Sequence, residues 1–154
     1  TAEKLDLASR LPYPPRSFDG ITANLVLPYI THFEGALGGL AFRRVLEELF
    51  AALKPGGFLL WSTPRKGVNF LLVALASWRS FFDRDHPEYR AYAFHILRHA
   101  LRIQRWGRRE IYHFLSLTDL ERLLHEIGFR EMTFKTSFVG QVHVISCLKP
   151  RGTR

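Results

Sequence analysis

Leu53-Lys54-Pro55-Gly56-Gly57-Phe58-Leu59-Leu60-Trp61-Ser62 joins the end of one element to the whole of the next. Phe58 to Ser62 is short and apolar, as a strand buried on both faces reads. Lys54 to Gly57 reads as a helix stop, with a cation at the negative end of the dipole and glycines able to take the left-handed turn. The helix it stops is predicted over 37–53. There Leu40, Val45, Leu46, Leu49, Phe50 and Leu53 recur at three- and four-residue spacing, while Arg43, Arg44, Glu47 and Glu48 take the other face. Upstream, the turn signal Ser17-Phe18-Asp19-Gly20 opens an apolar, partly β-branched run from Ile21 to Leu27, closed by Pro28. Strand, helix, strand with short connections is a βαβ unit and predicts an α/β domain. Its parallel-type strands are expected near 2–6, 20–27 and 57–62.

Residues 66–112 break that rhythm. Val68 to Phe82 reads as a very apolar helix, Asp83 to Glu88 as a turn and Tyr89 to Gly107 as a longer helix. At 100° per residue, Arg98, Arg102, Arg105 and Arg109 fall within a sector of about 60°. Leu97 and Leu101 lie to another side, which makes this an amphipathic basic helix. Regular order resumes at Ser116, an N-cap for a helix over 117–127 that Gly128 stops. Residues 129–138 and 141–148 are strand-like, and Val139-Gly140 between them predicts an antiparallel hairpin in the same sheet.

The 154 residues fit one domain, expected over 1–150, with a basic tail at 151–154. Apolar residues make up 47% and charged residues 23%, which excludes wholesale disorder. The single cysteine, Cys147, excludes a disulfide framework and any multi-cysteine zinc site, and suits a reducing compartment. Phe70 to Ala76 is the longest uninterrupted apolar run, far short of the roughly 20 residues a membrane span needs. Net charge is +8, concentrated in 79–109 and in the tail residues Lys149, Arg151 and Arg154. A near-neutral body with one basic segment favours anionic partners such as phospholipid headgroups, nucleic acid or phosphorylated substrates.

Four blocks, in order, resemble class I S-adenosylmethionine-dependent methyltransferases. They are Asp6 to Tyr13 with its Leu-Pro-Tyr, Ser17-Phe18-Asp19 opening a strand that runs through Asn24, Arg44-Val45-Leu46 followed at a variant spacing by Lys54-Pro55-Gly56-Gly57, and the helix from Ser116 to Gly128-Phe129 with its hairpin. The resemblance covers roughly 1–65 and 114–149. It implies a Rossmann-like methyltransferase sheet, here without its first strands, a helical insertion at 66–112 that sets substrate choice, and S-adenosylmethionine as cofactor. The family's glycine turn, GxGxG after its first strand, has no counterpart, nor has the acidic residue that holds the ribose. Gly35 to Gly39 follows the family's fourth strand and cannot serve. The chain is therefore expected to be the C-terminal two-thirds of a catalytic domain, inactive by itself, with a GxGxG turn about 40–60 residues before Thr1.

Carried over residue by residue, the resemblance makes Asp6 the acceptor of the adenine amino group and Leu7 the residue packing on the ring. Asn24 sits at the carboxyl end of a strand, where open α/β sheets place their ligand crevice. Tyr29 and His32 occupy the loop where family members carry substrate-facing or base residues. Asp19 is expected to bond turn amides. His95 and His99 read as surface residues, Cys147 as buried and inert, and no metal site is expected. The reaction implied is methyl transfer to a small or lipid-like acceptor in a cytoplasmic protein. Arg98, Arg102, Arg105 and Arg109 would give peripheral contact with an anionic membrane. Two alternatives are an RNA methyltransferase using the basic insertion and a non-catalytic, degenerate binding domain.

Overall fold

The computed structural model describes residues 4–76 and 88–152. The elements are β1 (Phe18–Asn24), a 3-10 turn (Leu27–Tyr29), β2 (His32–Phe33), β3 (Ala36–Leu37), α1 (Gly38–Ala52), β4 (Leu53–Pro64), α2 (Phe70–Ala76), α3 (Glu88–Arg108), α4 (Leu117–Ile127), β5 (Arg130–Ser137) and β6 (Val142–Leu148). The sheet runs β1-β4-β6-β5, with β1 parallel to β4 and β6 antiparallel to both its neighbours. The C-terminal hairpin thus joins the same sheet as the βαβ unit. Its second strand slots between β4 and β5. β2 and β3 form a small separate ribbon.

Helix α1 lays Phe42, Val45, Leu46 and Leu49 against one face of the sheet, and α4 adds Leu120 and Leu124 beside it. The facing strand residues are Leu59 and Trp61 of β4 and Ile145 and Cys147 of β6, all essentially inaccessible. The opposite face carries Phe58 and Leu60, which remain 41% and 37% exposed among the described residues. Helix α4 is capped as its sequence predicts. The Ser116 hydroxyl accepts from the Asp119 amide at 3.2 Å, and Gly128 closes the helix at φ 117°.

Three expectations are corrected. Residues 4–6 are not a strand, and 2–3 lie outside the described residues. The Asp6 carboxylate accepts from the Ala8 amide at 2.9 Å and the Asp6 carbonyl from the Ser9 hydroxyl at 3.0 Å, so the local polar groups close a turn. Lys54 to Gly57 is not only a helix stop. It is an irregular stretch inside β4, where pairing with β1 jumps from Phe18↔Leu53 to Gly20↔Phe58. A Cβ at Gly57 would meet the carbonyl oxygens of Lys54 and Asp19 at 2.9 and 3.0 Å, so only glycine fits there. Finally, Asp19 binds Lys54 Nζ at 2.8 Å rather than turn amides. The cation on the carboxyl end of α1 is Lys149, whose Nζ donates to the carbonyls of Phe50 and Leu53 at 2.7 and 2.8 Å. The apolar helix predicted over 68–82 is described as α2 to Ala76. Trp78, Phe81 and Phe82 lie outside the described residues.

Candidate functional site at the carboxyl ends of the strands

Because β1 and β4 are parallel, their carboxyl ends lie side by side, with Asn24 opposite Ser62. Ser62 Oγ donates to Asn24 Oδ1 at 2.5 Å and accepts from the Leu25 amide at 2.9 Å. Leu25 holds φ at 51°, a left-handed conformation that costs a non-glycine residue and turns the chain away from the sheet at this edge. Asn24 is exposed, and its Nδ2 has no partner among the described residues. Asp6 is exposed as well, and its Oδ2 is likewise unpartnered among the described residues. Leu7 beside it is half-buried. This segment is fastened to the loop that follows β1, because the Glu34 amide donates to the Ala8 carbonyl at 3.2 Å and Glu34 Oε1 accepts from the Arg10 amide at 3.3 Å.

The loop after β1 is held by the chain that follows α3. The His113 amide donates to the Pro28 carbonyl at 2.9 Å, and its Nε2 lies 3.1 Å from the Ile30 carbonyl, which assigns the proton to that nitrogen. The imidazole stacks on Phe42 at 5.1 Å, and burial holds its pKa below the ordinary value. Tyr29 meets Tyr112 edge-on at 4.8 Å and Phe114 at 5.8 Å, and Tyr112 meets Trp106 at 5.5 Å. A row of aromatic rings therefore runs from the loop beside Asn24 to the end of α3. Burial, with Tyr112 adding to it, raises the Tyr29 pKa, so its hydroxyl stays protonated at neutral pH and can donate but not act as a resting base. His32, on β2, is exposed and forms no side-chain hydrogen bond among the described residues.

Side-chain amides fix the start of the insertion's first helix. Gln104 of α3 accepts from the Phe70 amide at 2.9 Å, and Gln141 from the Asn69 amide at 2.8 Å, so two buried glutamines hold the start of α2. Along α3 and just past its end, Arg98, Arg102, Arg105 and Arg109 line one groove of about 480 Å³ together with Leu97, Leu101 and Trp106. His95 and His99 are exposed, with their Nε2 atoms 3.0 Å apart. Cys147 is buried, and desolvation pushes its thiol up to about 12, which leaves it unreactive.

Sequence reading reached Asn24 but missed Ser62, its neighbour across the parallel pair. The signal was present, since both residues end strands of one βαβ unit. Tyr112, His113 and Gln104 carried no such signal. Their roles depend on how the insertion returns to the core.

No curated protein matches this sequence. Solved structures share its fold. A S-adenosylmethionine-dependent methyltransferase of Methanosarcina mazei is 18% identical with a TM-score of 0.55, over 96% of this chain and 66% of its own. A methyltransferase of Thermotoga maritima, described as a possible histamine N-methyltransferase, is 16% identical at 0.53, over 91% and 60%. A possible exported protein of Bordetella parapertussis is 16% identical at 0.53, over 94% and 41%. The chain thus spans 60% and 41% of the last two structures' lengths. A family model described as a methyltransferase domain matches residues 3–132. With that match over most of its length, and with a sheet in which the C-terminal hairpin joins the βαβ unit, the chain belongs to the class I methyltransferase family.

Proposed function

We propose that this chain forms the adenine-side wall and the acceptor-side insertion of an S-adenosylmethionine-dependent methyltransferase acting on a small or lipid-like acceptor. The observation that carries the reading is the Asn24–Ser62 pair at the carboxyl ends of two parallel strands, where open α/β sheets take their ligands. The residues present fit one side of such a site. Asp6 offers a free carboxylate oxygen to an exocyclic amine, Leu7 an apolar surface to a ring, and Asn24 an amide donor that Ser62 orients.

When bound, S-adenosylmethionine supplies an already activated methyl group, so the protein's share is orientation and exclusion of water. Here the rings of Tyr29, Tyr112 and Phe114 cluster at the loop that follows Asn24, and the protonated Tyr29 hydroxyl is available as a donor. Helix α2 adds Leu71, Leu72 and Leu75, all exposed, which supports an acceptor with an apolar part. The residues that would enclose the carboxypropyl end, a glycine turn after a strand, are not among the 154. In a longer chain that carries such a turn, Asp6→Ala is expected to weaken cofactor binding by about 1–3 kcal/mol, the loss of one charged hydrogen-bond partner. Unchanged affinity would remove Asp6 from the site.

A further inference from the structure

We infer that the α2–α3 insertion docks on an anionic phospholipid surface, with the arginine groove of α3 as the electrostatic contact and the leucines of α2 as the apolar one. Charge is the first argument. Arg98, Arg102, Arg105 and Arg109 occupy one groove, and none of them forms an ion pair among the described residues. Two arginines of the core helices are paired instead. Arg43 bridges Glu47 and Glu126, and Arg122 bridges Asp119. Four guanidinium groups lining one groove, unpaired among the described residues, favour a surface of negative charge over a single counterion.

Apolar exposure is the second argument. Leu71, Leu72 and Leu75 of α2 are 49%, 47% and 61% exposed, and α2 packs against α3. On α3, Leu101 and Trp106 flank the arginines and are also exposed. Arginine stems can lie along such apolar surface while their heads reach phosphate, and tryptophan suits the boundary between the two. RNA would need stacking faces spaced along the groove, whereas among the described lining residues Trp106 alone is aromatic, and it stands edge-on to Tyr112. Position is the third argument. The rings of Trp106, Tyr112 and Tyr29 form a continuous row from the groove to the loop after β1, the loop that follows Asn24.

This docking is independent of methyl transfer and is measured without cofactor. The experiment is co-sedimentation of the 154-residue chain with phosphatidylcholine vesicles, with and without phosphatidylglycerol, at low and high salt and with structured RNA as competitor. Binding should require phosphatidylglycerol and weaken as the Debye length falls from about 10 Å at 0.1 M to about 3 Å at 1 M. Each arginine near an anionic surface contributes roughly five-fold in partitioning, so R98Q/R102Q/R105Q/R109Q should lower it by about a hundred-fold or more. Replacing the same four by lysine should preserve it, and Leu71→Ser with Leu75→Ser should remove the part that survives salt. Equal binding to phosphatidylcholine alone, insensitivity to salt and to the four glutamines, no binding at all, or displacement by RNA would each overturn the inference.

Discussion

His113 is the residue at which the loop after β1, the chain leaving α3 and helix α1 meet. Its backbone and ring nitrogens reach Pro28 and Ile30, and its ring rests on Phe42. Burial keeps this imidazole neutral by lowering its pKa, and burial with Arg65 nearby does the same for His143. In the unfolded chain both take a proton near about pH 6.5, while in the folded chain they do so only at lower pH. Between those values the unfolded state binds more protons. Their contribution to stability is therefore complete above the unfolded value and is lost as pH falls through the interval below it. Denaturant midpoints measured from pH 8 to pH 5 should fall on acidification, and His113→Gln should flatten part of that slope. A profile that His113→Gln leaves unchanged would show that His113 is not desolvated in the fold.

At the scale of elements, the attachment of α3 rests on Gly107, where a Cβ would run into the ring of Phe114. Gly107→Ala should force the end of α3 off the core and cost roughly 1–3 kcal/mol. Hydrogen exchange should then quicken in 104–114 while α1 and β4 keep their protection. The core elements were legible in the sequence because their periodicities are local: α1 and α4 match their predicted spans within a residue at each end, and the hairpin turns at Val139 and Gly140 as its glycine announced. Lys54 to Gly57 was not legible in full. Its glycines announce a turn, but that the turn lies within a strand depends on β1 and β6 on either side. The partners of Asp19 and Lys149 were hidden for the same reason, since each lies more than thirty residues away in sequence. Of the candidate site, strand-end Asn24 could be placed from pattern alone. The aromatic row from Tyr29 to Trp106 required the return path of the insertion.

For the whole molecule, the arrangement is one-sided. Helices α1 and α4 cover one face of the sheet, whereas Phe58 and Leu60 on the other stay exposed, and β1 is an edge strand among those described. Of the proposed cofactor contacts, Asp6, Leu7 and Asn24 are in the sequence, and a GxGxG turn is not. The most direct test of this account is isothermal titration of S-adenosylmethionine into the 154-residue chain and into a longer chain carrying a GxGxG turn ahead of it. The account predicts binding by the longer chain and weak or no binding by the 154 residues alone; micromolar affinity in the 154-residue chain would contradict it.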